Sequence, residues 1–259
     1  MTLQTGTALA GLRRYGRPSI NTVYRGDVLL SDGSIVRGFL KDLDPRQLGN
    51  ELLVAAIAQK LGVMAPGVAV VKIDNAITRD FTKIPHRLGG HIAFFSIDAD
   101  GQTVAQIIEG GTPSYEIMQF VKRSPAMGRM YGIDTWVANV DRHKNNLILR
   151  GDGTVVLIDH GHCITGPEWR AADLNSAKEY VCKLKGWLTP LLTSEEKDAA
   201  MADIRALSIK MMSTDVQALV EDYMLSSLYG DNDCDAVVGF LEARSAHVLP
   251  LGATYLETL

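Results

Sequence analysis

Residues 139–162 read NVDRHKNNLILRGDGTVVLIDHGH, and the spacing inside this stretch decides the fold. Two apolar runs, 147–149 and 154–158, flank the tight RGDG segment at 150–153, which predicts a β-hairpin. Around that turn, residues whose numbers sum to about 303 should lie opposite one another. Asn146 then faces Leu157, and Asp159 falls just beyond the same end of the hairpin. Facing side chains on neighbouring strands stand about 5 Å apart. Asn146 and Asp159 therefore converge, with Asp141 on the loop leading in. Asp and Asn are also ordinary turn residues. All three together at one hairpin end match the needs of metal-assisted phosphoryl transfer. A carboxylate and an amide oxygen suit Mg²⁺, a hard cation that also takes nucleotide phosphate oxygens. The separate Asp141 is placed to accept the proton of an attacking hydroxyl.

Outward from this stretch, the pattern changes character. Upstream, 127–139 suits a helix despite Gly128 and Gly132. Residues 46–61 (RQLGNELLVAAIAQKL) place Leu48, Leu52, Leu53, Ala56 and Ile57 on one helical face. Gly62 is a natural C-cap and Pro66 a stop. Strands are expected at 23–30 and 34–41, joined by Ser-Asp-Gly at 31–33, and at 67–73 and 91–97, the last ended by DADG at 98–101. Downstream, 194–212, 215–228 and 233–246 read as helices, the first opened by a Thr193/Glu196 capping box. A β-rich part thus precedes a helix-rich part, with the boundary near 97–104.

Composition removes whole classes of function. The chain has 259 residues, 46% hydrophobic and 22% charged, which is the balance of a globular protein. No apolar run reaches the roughly 18–20 residues that span a bilayer. The start, MTLQTGTALAGLRRYGRP, lacks the basic-then-apolar pattern of a secretory leader. Cys163, Cys182 and Cys234 are odd in number and unclustered. That opposes a disulfide scaffold or a cysteine zinc site and leads us to expect a cytoplasmic protein. A net charge of −4 and a pI of about 5.9 oppose general nucleic-acid binding. Residues 1–41 nonetheless carry six Arg/Lys against two Asp, a local excess of +4.

Asp141-Arg142-His143-Lys144-Asn145-Asn146, followed by Asp159-His160-Gly161, resembles the DRHxxN and D-x-G pair of the HipA-like kinases, an order also found in phosphatidylinositol kinases. Ordinary protein kinases show H-R-D-x-x-x-x-N and D-F-G with the same Asp-to-Asn interval. The upstream segment resembles the same group: a hairpin ending in Lys41, Asn50-Glu51-Leu52-Leu53 on a helix, then LGVMAP at 61–66. The resemblance covers about residues 10–165. It implies an α+β, bilobal protein-kinase-like fold, with a small β-rich N-lobe (1–100) for nucleotide phosphates and a larger α-helical C-lobe (101–259) for catalysis and metal binding. It further implies an ATP- and Mg²⁺-dependent phosphotransferase acting on a protein or small-molecule hydroxyl. Lys41 contacts nucleotide phosphate and Glu51 pairs with it. Asp141 is the base, Asn146 and Asp159 hold Mg²⁺, and Arg142 and His143 orient the loop or touch the transferring phosphate. Adenine is expected against 95–99.

The chain departs from kinases in having no GxGxxG. The best candidate phosphate loop is 17–21, with Arg17 and the Ser19 hydroxyl as cofactor-binding groups. The resemblance does not carry a toxin role, because the longer HipA proteins have an additional N-terminal subdomain. Two other functions fit parts of the pattern. One is a pseudokinase or nucleotide-binding module that keeps the site without turnover. The other is a metal-dependent hydrolase using Asp141, Asp159, His160 and His162, which leaves Asn146 and the Lys41–Glu51 pair unexplained. No membrane partner is expected, and His86, His91 and His247 read as structural or surface residues.

Overall fold

The computed structural model describes residues 3–16, 21–77 and 80–257. Two short strands come first, β1 (Gln4–Ala8) and β2 (Arg13–Arg14). Their sequences, QTGTA and RR, carry no run of alternating apolar residues, so pattern did not announce them. β3 (Val23–Leu30) and β4 (Ile35–Lys41) form the expected hairpin, with Val28 facing Val36 and Tyr24 facing Leu40. Helix α1 (Pro45–Leu61) follows, then β5 (Val68–Ile73) and β6 (His91–Ile97). β1 pairs in parallel with β5 and antiparallel with β3. Five strands therefore close into a barrel in the order β1-β5-β6-β4-β3, and β2 continues along β3. Strand alternation fills the barrel: Ala69, Val71 and Ile73 of β5 point inward to meet Val28, Leu40 and Phe95.

Helix α1 starts on Pro45, whose fixed backbone suits a first helical position. It ends where Gly62 turns left-handed (φ +71°) and its N–H bonds back to the Ala58 and Gln59 carbonyls. The one-faced apolar pattern expected for α1 understates its burial. All residues from Gln47 to Ala58 are buried, because the helix lies between the barrel and the helical part. At Gly49 an added methyl would overlap the Tyr229 ring. That ring cannot step aside easily, since its hydroxyl donates to Asn50 Oδ1 at 2.9 Å. Gly49→Ala should therefore cost about 1–3 kcal/mol by overpacking. Urea unfolding checks this, and an unchanged midpoint would mean that Tyr229 gives way.

The second part opens with β7 (Gly101–Thr103), α2 (Val104–Glu109), α3 (Ser114–Arg123) and α4 (Ala126–Trp136). The central hairpin is β8 (Leu147–Arg150) and β9 (Val155–Leu157), and β7 adds to it as a third antiparallel strand. Its register is one residue off the expected one. Leu147 faces Leu157, so Asn146 lies opposite Ile158, whose N–H donates to the Asn146 carbonyl at 3.1 Å. Asp159 is then the next residue after the partner of Asn146, and the two still converge. Helices complete the part: α5 (Leu184–Trp187), α6 (Ser194–Met212), α7 (Val216–Asp222), α8 (Ser226–Tyr229), α9 (Asp231–Ser245) and α10 (Val248–Leu256). The expected helix 215–228 is split into α7 and α8, with Met224 between them at φ +52°. The Thr193/Glu196 capping box is present at α6, with bonds of 3.2 and 2.8 Å. Gly128, an unpromising helix residue, lets α4 close on α6: an added Cβ would stand 2.5 Å from Asp203 Cβ.

The chain is thus a mixed α/β protein with a β-sheet N-terminal region and a helical C-terminal part. The barrel interior is one core; the other runs from α1 through the helices. β6 ends at Ile97 and β7 begins at Gly101, and α1 packs into the helical core. Among the described residues, no helix is long and apolar enough to cross a membrane.

Candidate functional site

A cavity of about 680 Å³ opens between the barrel and the β7-β8-β9 sheet. Its size is that of a small-molecule site. Lys41, Glu51, Asp141, His143, Asn146 and Asp159 all line it. Of the phosphate-loop candidates, Arg17 and Ser19 lie outside the described residues, while Asn21 is on the wall.

Lys41 ends β4 with its side chain 16% exposed. Its ammonium lies 3.0 Å from Glu51 Oε1 and 3.1 Å from Asp159 Oδ1, and 5.6 Å from the centre of the Phe94 ring. Burial alone would weaken its hold on the proton. The carboxylates of Asp159 and Glu51 outweigh that, so the pKa lies above the ordinary lysine value. Glu51 shows the mirror case. Burial would raise its pKa, but Lys41 and contacts from His160 hold it well below the carboxylate range. Glu51 Oε2 accepts the His160 N–H at 2.9 Å, so one glutamate ties α1 both to the lysine and to the residue after Asp159.

Asp159 sits in the left-handed region at φ +61°, which aspartate tolerates better than most side chains. Asn146 donates through Nδ2 to the Asp141 carbonyl at 2.8 Å, leaving its amide oxygen for the cavity. These are hard oxygen donors, an amide and a carboxylate, and they fit Mg²⁺ completed by phosphate oxygens and water. Asp141, Asp159, His160 and His162, the donors of the hydrolase alternative, all line this cavity. No cluster of three or more His, Cys, Asp or Glu stands at metal-binding distance among the described residues. His160 is buried, its Nδ1 3.6 Å from Glu51 Oε2, and both it and His162 line the cavity.

Of the two roles expected of Arg142, orienting the loop or touching phosphate, the geometry fits the first. Arg142 is fully buried and is not itself part of the cavity wall. Its guanidinium grips Asp134 with bonds of 2.8 and 2.9 Å, and also donates to the carbonyls of Asn146 (2.9 Å) and Ile158 (2.6 Å). It therefore orients the loop from within, clamping both hairpin ends; it cannot reach a phosphate. Burial opposes its charge, but Asp134 more than compensates, and its pKa is raised. Within the expected segment 95–99, Ser96, Ile97, Asp98 and Ala99 are on the wall, while Phe95 faces the barrel interior and Phe94 lines the cavity beside them. His143 keeps a place on the wall. Its Nδ1 accepts the Asn145 N–H at 3.2 Å and its Nε2 stands 3.5 Å from Asp141 Oδ2. Burial lowers its pKa, which favours the neutral ring.

Three residues of the site, Asp134, Asn139 and Lys183, escaped the sequence, and the contacts of a fourth, Asn50, were not readable from the motif that contains it. Asp134 and Asn139 brace the loop: Asn139 Nδ2 donates to Asp134 at 2.8 Å, and Asn139 Oδ1 accepts the Asp141 N–H at 2.9 Å. Their only sequence signal was polarity on an otherwise buried helix end. Asn50 is buried on α1, donates to the Gly161 and Cys163 carbonyls and accepts from Trp169 and Tyr229. Lys183 bonds Asp141 Oδ1 from 42 residues downstream. Searched against known protein families, the chain matches no family model, and no curated protein matches it.

Proposed function

We propose that the chain is an ATP- and Mg²⁺-dependent phosphotransferase of the HipA-like kind, with a two-lobed, protein-kinase-like build, that moves the γ-phosphate to a protein or small-molecule hydroxyl. One observation carries this: Lys41 is held between Glu51 and Asp159 on the wall of a cavity it shares with Asp141 and Asn146. That set is what positioning and electrostatic catalysis of phosphoryl transfer require. In it, Lys41 faces the nucleotide phosphates and Glu51 fixes the lysine. Asn146 and Asp159 hold Mg²⁺, which when bound offsets charge on the phosphates. Asp141 receives the acceptor hydroxyl's proton. Phe94, Ile97 and Ile148 offer the apolar faces that a nucleobase needs.

The test is incubation with γ-labelled ATP, Mg²⁺ and a cell lysate. Wild type should transfer label, and Asp141→Ala should lower transfer by about 10²-fold through loss of the base. Stabilisation of the wild type by ATP without any transfer would make the chain a nucleotide-binding module instead. Neither stabilisation nor transfer would overturn both.

A further inference from the structure

We propose that Lys183 is a positioning residue for this phosphoryl transfer, holding Asp141 by Oδ1 so that Oδ2 meets the acceptor hydroxyl. The role rests on the phosphotransferase reading above. Three observations support it. First, the Lys183 ammonium is hydrogen-bonded and ion-paired to Asp141 Oδ1. The pair is asymmetric: the Lys183 side chain is 55% exposed, that of Asp141 18%. An exposed lysine thus reaches into a sheltered acid.

Second, the backbone that carries Lys183 is fixed. Surface ion pairs made by floppy lysines are commonly worth little. Here the neighbours Cys182 and Leu184 are both buried, and Lys183 caps the start of α5. At the far end of α5, Trp187 Nε1 donates to the Arg142 carbonyl at 2.9 Å. The short helix is therefore bonded to the loop at the residue beside Asp141. Third, the remaining polar atoms of Asp141 are already directed. Its N–H donates to Asn139 Oδ1 and its carbonyl accepts from Asn146 Nδ2, so the backbone is set and only the carboxylate rotation is left to fix. Lys183 fixes it, and His143 stands at the other oxygen.

In the transfer, the acceptor oxygen forms a bond to the γ-phosphorus while its O–H bond breaks and the proton passes to Asp141 Oδ2. The bond from the γ-phosphorus to the β–γ bridging oxygen breaks, and the nucleoside diphosphate leaves with that electron pair. Lys183 keeps its proton throughout. Its work is to hold the carboxylate within bonding distance of the hydroxyl, where small misplacements are costly.

The experiment compares wild type, Lys183→Met, Lys183→Arg and Trp187→Phe in steady-state transfer from ATP. We expect Lys183→Met to lower kcat by about 10- to 100-fold, with KM for ATP kept within about twofold. Lys183→Arg retains the charge and should recover to within about threefold of wild type. Melting temperatures of the two Lys183 variants should match wild type, because the lysine side chain is largely in solvent. An unchanged kcat in Lys183→Met overturns the proposal. So does a raised kcat, which would mean that the lysine masks the acid, or an Arg variant as impaired as the Met variant. Should Lys183→Met not fold, Trp187→Phe decides: it removes the anchor and keeps the charge, and full activity there overturns the role. A wild type that binds no ATP and transfers nothing fails at the control, which overturns the phosphotransferase reading itself and this role with it.

Discussion

Replacing Arg142 with leucine is expected to remove about 3–5 kcal/mol of folding stability, a large share of what a domain possesses. The guanidinium and the Asp134 carboxylate are both buried and joined by two bonds. Leucine would leave the Asp134 charge in a dry interior with Asn139 as its remaining polar partner. It would also strip a donor from the Asn146 and Ile158 carbonyls. Removing both ionic partners at once, Arg142→Leu with Asp134→Leu, should cost less than the sum of the single changes, since no lone charge is then buried. Urea unfolding of the two single variants and the double variant measures this. Costs that simply add would show that the two groups are not coupled. The same clamp holds the ends of the β8–β9 hairpin, so activity should fall in step with stability in Arg142→Leu.

Asp159→Ala is expected to lower phosphoryl transfer by about 10³-fold while the chain stays folded. The substitution takes a metal-binding carboxylate from the proposed site and frees Lys41 from one of its two partners; the Glu51 partner remains. Asp159 is half exposed, so little packing is lost. Its left-handed backbone suits alanine poorly, at about 1–2 kcal/mol. Asp159→Asn separates the two effects, because asparagine tolerates that backbone and lacks the charge. Transfer assays and thermal melts on both variants decide the matter. ATP consumption at the wild-type rate in Asp159→Ala would sink the mechanism.

Much of the site was legible because it is local. Asp141, Asn146 and Asp159 are linked by one hairpin, and its turn residues set their spacing whether the register sum is one value or the next. Lys41 and Glu51 were legible as a strand end and a helix residue ten positions on, though Glu51 lies in the second turn of α1 and not at its start. What escaped depends on distant chain. Lys183 and Asn50 act across 42 and 111 residues; Lys183 carries no pattern of its own, and the motif that holds Asn50 does not show its distant partners. The sequence left two roles open for Arg142, orienting the loop or touching phosphate, and its burial against Asp134 favours the first. In the fold, β3 to β6 followed from alternation and turns. β1 and β2 did not, since strands poor in apolar residues exist only because neighbours pair with them. The single face expected for α1 failed because periodicity reports one buried side and says nothing of a second layer covering the other.

The pairing of β1 with β5 joins residue 4 to residue 69, and β5 itself is completed only by β6, which ends at residue 97. β1 therefore has one neighbour, β3, close in sequence and gains the other, β5, only once residues 68–73 have been made. Until then the β5-facing flank of β1 carries unpaired backbone groups, the kind of edge that recruits a foreign strand. Loop closure over such a span is slow compared with forming the β3–β4 hairpin. Any change that delays β1 should thus show itself first as lost solubility during synthesis, even though β1 contributes no side chain to the cavity wall.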